Sequence, residues 1–191
     1  MGQSLPRLSL DACIARENEQ PEMHAFVRGD VFARVGARRV HGESIGNIDI
    51  AFRKAPAGSR CKVYFGTTKL QTAAGDVLYP VVFVTCKAPD LRTDQIFRAP
   101  TVIVEVLSPS TQACDRGLKF TRYRSLPRPR EYALVDLDTR EVQLFRRGAD
   151  GLFTLHDLTG VLLLRCARIG CTVTADDLFE GIEHVDDTPA L

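Results

Sequence analysis

The sequence predicts a mixed α/β domain: a curved central sheet with helices packed on it. Three observations predict it. Helix-like and strand-like segments interleave along the whole chain. Residues 101–107 form a largely apolar run with four consecutive β-branched residues, Thr101 to Val104, bounded by Pro100 and Ser108-Pro109. Strand signals separated by turn residues then recur as a meander from Tyr132 onward. A length of 191 residues suits one domain, 1–191, with a core over about 8–180 and a polar, acidic tail from His184.

Ser9 is placed to cap a helix over 10–19, with Asp11 in its first turn and Pro21 ending it. Residues 23–28 and 31–35 read as two strands joined at Gly29-Asp30, a two-residue hairpin signal. A second helix is expected over 42–54, with Ile45, Ile48, Ile50 and Phe52 among its apolar positions. After a loop at 56–59, strand-like segments fall at 61–65, 69–72 and 81–85. Residues 87–99 are polar and read as loop. The strand at 101–107 leads into a helix over 109–126, capped at Ser108 or Ser110 and stopped by Pro127 and Pro129. Residues 132–136 and 141–146 form a hairpin, followed by strands at 152–156 and 161–164 and a short capped helix over 174–179. There is no internal repeat and no low-complexity segment.

Lys plus Arg is 25 and Asp plus Glu 24, a net charge of +1, so any basic surface must be local. No apolar stretch approaches the ~20 residues needed to span a bilayer, and the N-terminus lacks a basic segment followed by an apolar run. The expectation is a cytoplasmic chain with no membrane partner. None of the six cysteines forms a C-x-x-C pair, and they are expected to be reduced, mostly buried thiols.

The stretch that bears on chemistry is Val104-Glu105-Val106-Leu107, with Asp115, Lys119 and Tyr123 beyond it. Residues 101, 103, 105 and 107 share one face of a strand, which puts Glu105 among apolar neighbours. A carboxylate there is costly unless a metal ion, a lysine or an arginine pairs with it, and a buried Glu–Arg pair is the simplest such arrangement. Asp115, Lys119 and Tyr123 are spaced i, i+4, i+8 and form one helical stripe. The turn at Ser108-Pro109 folds that stripe back toward Glu105. Glutamate, lysine and a metal are the minimum for activating water against a phosphodiester. An ordinary exposed Asp115–Lys119 pair, worth ~0.3–0.5 kcal/mol, fits the same spacing.

Glu105-Val106-Leu107-Ser108-Pro109-Ser110-Thr111, then Asp115-Arg116, Lys119, Tyr123, Glu131-Tyr132 and Val135-Asp136, resembles the Uma-type restriction endonucleases of the PD-(D/E)XK nuclease superfamily. The outer segments resemble it too: Phe26 to Val31, His41 with Ile45 and Asn47, and Tyr79-Pro80 with Val84-Thr85-Cys86. The resemblance spans roughly residues 8–179. It implies a restriction-endonuclease-like α/β fold and a DNA endonuclease dependent on magnesium or manganese, and by analogy a homodimer. It makes Glu105 and Lys119 the catalytic pair, Glu105 and the Val106 carbonyl the metal ligands, and Asp115, Tyr123 and His41 supporting residues. Lys119 is then the superfamily lysine moved onto the helix, with Leu107 at its usual place.

Two departures follow from the resemblance. Val81 stands where the family has Asp after Tyr-Pro, and Ala25 where the early hairpin has Glu. A site of one carboxylate, a carbonyl and water binds a hard cation weakly. Asp76, Asp90 and Asp94 are the nearby acids that could substitute. Six basic residues and no acid lie from Arg116 to Arg130, and Arg116, Arg122 and Arg124 are the candidates for a phosphate channel. A solvated helix face with some arginines paired to acids elsewhere gives the same pattern. The alternative function is a nuclease-like module that binds nucleic acid or a protein without cutting.

Overall fold

The computed structural model describes residues 9–19, 24–33, 38–54, 60–127, 129–157, 163–166 and 170–183. Helix α1 (Leu10–Glu19) has the expected bounds, with Ser9 Oγ accepting the Ala12 N–H at 3.3 Å. Strands β1 (His24–Val27) and β2 (Asp30–Ala33) form a hairpin, followed by α2 (Arg39–Arg53). Then come β3 (Lys62–Phe65), β4 (Lys69–Gln71), β5 (Val77–Leu78), β6 (Val82–Thr85), β7 (Ile96–Phe97) and β8 (Pro100–Val106). Helix α3 (Gln112–Cys114), a π-helical turn (Asp115–Lys119) and α4 (Phe120–Arg124) run on as one helix. Strands β9 (Glu131–Asp136), β10 (Glu141–Arg147), β11 (Phe153–Asp157), β12 (Leu163–Cys166) and β13 (Cys171–Thr174) precede α5 (Ala175–Phe179).

Six strands form the larger sheet in the order β11-β10-β9-β8-β6-β3, and five form the second in the order β2-β1-β5-β4-β7. Strand β8 pairs parallel with β9 and antiparallel with β6, so it lies in the middle of the larger sheet. Its period of two feeds two cores. Val102, Val104 and Val106 pack with Ile48 and Phe52 of α2. Ile103, and Leu107 just past the strand, pack with Phe83, Tyr123, Tyr132 and Leu134. Both faces of β8 are covered, which is why its sequence reads as one apolar run.

Several expectations need correction. The hairpin turns at Arg28-Gly29, with φ of 53° and 91°, while Asp30 already pairs with Val27. Buried Asp76 explains the shift, because its Oδ1 accepts the Arg28 N–H at 3.0 Å. Helix α2 starts at Arg39, and Ile50 is 57% exposed, so its apolar stripe runs through Ile48 and Phe52. Strands β5 and β7 are two residues long, too short for alternation to show, and β13 was also not foreseen. The loop at 87–99 contains β7 and a 3-10 turn, Asp90–Arg92. Asp90 ties it down by accepting from the Thr85 hydroxyl and from the Arg98 and Ala99 N–H groups. The helix after β8 is capped by the Ser108 carbonyl, which accepts from Thr111 and Gln112, and not by a serine side chain. Thr174 caps α5 as expected, through a capping box with Asp177. The expected tail from His184 lies outside the described residues, as do the 56–59 loop and the first half of the 161–164 strand.

The cysteines depart most. Cys61 and Cys86 are joined by a disulfide, so the expectation of reduced thiols fails at these two positions. The ladder of β3 against β6 pairs Lys62 with Thr85, and one step further sets Cys61 opposite Cys86. Cys114 is free and exposed, and Cys171 is free and buried. Among the described residues no helix is long and apolar enough to cross a membrane.

Candidate active site

Glu105 is the next-to-last residue of β8 and has no exposed surface. Three protein donors satisfy its carboxylate. The Tyr123 hydroxyl donates to Oε1 at 3.0 Å, the Val81 N–H donates to Oε2 at 3.2 Å, and the Lys119 ammonium lies 3.2 Å from Oε2. The same ammonium is 2.7 Å from Asp115 Oδ1. Asp115 is 1% exposed and Lys119 19%. The Asp115–Lys119 pair is therefore interior and not the exposed helix pair that its spacing also allowed.

The helix delivers this stripe through its π-helical turn, which spans Asp115 to Lys119. A π turn is wider than an α turn, so residues four apart come closer to eclipsing, and such turns recur at functional sites. The Tyr132 hydroxyl of β9 donates to the Asp115 carbonyl at 2.9 Å and pins the first residue of the turn. One turn further on, Arg122 Nε lies 3.1 Å from Asp76 Oδ2, with both side chains largely buried. Asp76 also accepts from the Thr72 hydroxyl at 3.3 Å. This second ion pair ties the helix to the five-stranded sheet.

Burial sets the electrostatics. It pushes the Glu105 carboxyl above the ordinary carboxylate range, against the opposing pull of Lys119. It lowers Lys119 by itself, but the carboxylates of Glu105 and Asp115 outweigh it and the net shift is upward. Burial and the neighbouring Glu105 raise the Tyr123 hydroxyl well above its usual value, so it stays a donor.

The remaining expected residues separate. His41, in the first turn of α2, places Nε2 3.2 Å from the Val106 carbonyl, so that Nε2 donates to the oxygen named as a metal ligand by the resemblance. Arg116 bonds Gln143 and lies 3.7 Å from Asp136 Oδ2. Arg122 is 12% exposed and held by Asp76. Arg124 is exposed, with its guanidinium 5.8 Å from the Phe120 ring centre. Of the acids that could have substituted for the residue at 81, Asp76 holds Arg122 and Asp90 holds its own loop. Asp94 lines a cleft of about 540 Å³ between β3 and β7, whose walls include Lys62, Tyr64 and Phe97. Sequence reasoning missed the Val81 N–H, the Tyr132 hydroxyl and the Asp76–Arg122 pair. A main-chain donor leaves no trace in side-chain identity, and the other two depend on long-range register.

A hard divalent cation needs several charged oxygen ligands. Here both Glu105 oxygens already have donors, an ammonium lies between Glu105 and Asp115, and buried Val81 adjoins Glu105. Among the described residues no group of three or more His, Cys, Asp or Glu side chains is placed to hold a metal. The donor set does not fit a magnesium or manganese ion.

The model of the Uma2 family, described as a putative restriction endonuclease, matches residues 9–173. The chain belongs to the Uma2 family. An uncharacterized protein of Synechocystis sp., slr1290, is 29% identical over 178 residues, covering 93% of this chain and 94% of the relative. A second, sll1609, is 27% identical over 151 residues, covering 77% and 85%. In fold, the chain is similar to the crystal structure of a protein from Anabaena variabilis described as a putative nuclease belonging to DUF820. The TM-score is 0.72 at 15% identity, over 90% of this chain and 97% of that one. This Uma2 protein has the restriction-endonuclease-like α/β fold, and Glu105 and Lys119 meet within it.

Proposed function

We propose that the protein is a nuclease-fold DNA-binding module in which cleavage by a bound magnesium or manganese ion has been lost. The observation that carries this reading is the residue beside Glu105. The N–H of Val81 donates to the Glu105 carboxylate, so position 81 adjoins the site, and its side chain is apolar and buried. Ala25 packs beside the cluster that contains Tyr123 and brings no second acid. Family membership and the names of its relatives support nucleic acid as the ligand class. On this reading exposed Arg124 and part-exposed Arg116 meet phosphates, while Lys119 is held between Glu105 and Asp115, and Tyr123 fixes Glu105. Arg122 steadies the helix, and His41 orients the Val106 carbonyl. Exposed Leu152 and Leu155, beside and on edge strand β11, support a homodimer, which sedimentation would test. Action on DNA accords with a cytoplasmic location.

The 3.2 Å contact between Lys119 and Glu105 favours a second reading, a working endonuclease with a partly degraded site. Supercoiled plasmid incubated with magnesium or manganese separates the two, beside Glu105→Ala and Lys119→Ala. The expected result is no nicking, together with DNA binding that weakens steeply as salt rises, by about 0.9 in log K per phosphate for each log unit of salt. Nicking that both substitutions abolish establishes the endonuclease instead.

A further inference from the structure

We propose that the cleft between β3 and β7 binds an unpaired nucleotide of a single strand, whose base stacks on Tyr64 and whose phosphate meets Lys62 and Lys69. The site rests on the reading of nucleic acid as the ligand class and adds where a strand, as distinct from a duplex, is held. The cleft encloses about 540 Å³, within the range of small-molecule sites, and none of its lining residues belongs to the Glu105 site. The Tyr64 ring stacks on Phe83 with centroids 5.4 Å apart and tilts against Phe97 at 4.4 Å, so it is held from behind. It is only half-buried and lines the cleft. A ring fixed in this way offers a base a stacking surface at little ordering cost. Alternation along β3 sets exposed Lys62 on the same face as Tyr64, and Lys69 lines the cleft from β4. Asp94 and Gln95, just before β7, supply an acceptor and an amide for a base edge. Two lysines against one aspartate leave the lining net positive, which favours an anion. Cross-strand pairing runs from Tyr64 to Phe83 to Ile103, and Ile103 shares a face with Glu105. Tyr64 therefore stands on the Glu105 side of the larger sheet, two strand spacings or roughly 10 Å across it. A base inside a duplex is already paired and stacked and does not reach the ring.

Fluorescence anisotropy of labelled strands on the wild-type chain gives the affinities. A short oligodeoxythymidylate is expected to bind about fivefold or more tightly than an abasic strand of equal length and charge. Lys62→Ala is expected to lower the slope of log K against log salt for the thymidine strand by about 0.7 and to leave duplex affinity unchanged. Tyr64→Trp then locates the base, because the chain has no other tryptophan. With its fold confirmed by circular dichroism, its fluorescence is expected to be quenched by the thymidine strand and not by the abasic strand or a duplex. Equal affinity for the thymidine and abasic strands overturns the proposal, and so does a Lys62→Ala chain that holds the thymidine strand as well as wild type does. Quenching by the duplex also overturns it, as does a polyglutamate peptide that binds as tightly as the strand, which would make the cleft a peptide site. Where duplex binding persists through those results, the DNA-binding reading stands and only the cleft assignment falls. A chain that binds no nucleic acid at all overturns both.

Discussion

Tyr123 donates its hydroxyl to Glu105 across eighteen residues of sequence, and neither side chain is open to solvent. The bond supplies the donor for Oε1, while Lys119 and the Val81 N–H serve Oε2. Tyr123→Phe keeps the ring in its cluster with Tyr132 and Leu126 and removes only that donor. Leaving a buried carboxylate oxygen unsatisfied costs about 1–3 kcal/mol. Urea unfolding is expected to show that loss with an unchanged m-value, and no change in midpoint would mean that the hydroxyl is not needed.

The same carboxylate fixes a pH dependence. Its value is raised in the folded state, chiefly by burial. A raised acid favours folding most below its unfolded value, and that advantage fades as pH climbs through the folded value. Lys119 is also raised, so its contribution is complete at neutral pH and is lost only in the alkaline range. Asp177 works the other way. The Thr174 hydroxyl and N–H and the Lys54 ammonium hold it well below the usual range, so its contribution is lost as pH falls toward strong acid. Relative to wild type, Glu105→Gln should therefore gain stability as pH climbs from the unfolded glutamate value, about 4.3, through the raised folded value. Unfolding midpoints of the two proteins across that range check this, and a constant difference would contradict it.

Asp76 and Arg122 make a separable claim. Their ion pair is largely buried and joins the Lys119 helix to the loop between β4 and β5. Removing one partner of a buried pair costs about 3–5 kcal/mol, whereas replacing both with apolar side chains is often near neutral. Arg122→Met, which leaves the Asp76 carboxylate buried without its cation, should cost about 3 kcal/mol or more, and Arg122→Met with Asp76→Asn, which keeps an acceptor for the Arg28 N–H, distinctly less. If the single change costs under about 0.5 kcal/mol, the pair behaves as an exposed one.

How much of this was legible in the sequence depends on the range of the signal. The strand at 101–107, the hairpin over 137–140 and the capped helix at 174–179 are local patterns, and each stands within a residue or two of its expected bounds. The Glu105, Lys119 and Tyr123 triad was legible because two short-range facts, strand alternation and helical spacing, are joined by one tight turn. The hairpin turn was misplaced by one residue because a side chain 48 positions away decides it. The sequence leaves open whether Arg122 and Arg116 are free or paired, because Asp76 and Asp136, their partners, lie on other elements. A helix sequence cannot reveal which of its charges the rest of the fold has already neutralised.

The disulfide is the least local feature and gives the last prediction. Cys61 and Cys86 are 25 residues apart, and the bridge closes the segment that holds β3, β4, β5 and β6. Closing a loop of that size removes unfolded-state entropy worth about 3 kcal/mol in the chain-entropy account. It also fastens β3, an edge strand, to its neighbour β6. Reductant should therefore lower the urea midpoint of the wild-type chain by that order, and leave Cys61→Ser with Cys86→Ser unaffected. The double variant should unfold like the reduced wild type. Peptide masses under non-reducing conditions give the independent check: a peptide containing Cys61 linked to one containing Cys86 is expected, and free thiols at both positions would refute the bridge.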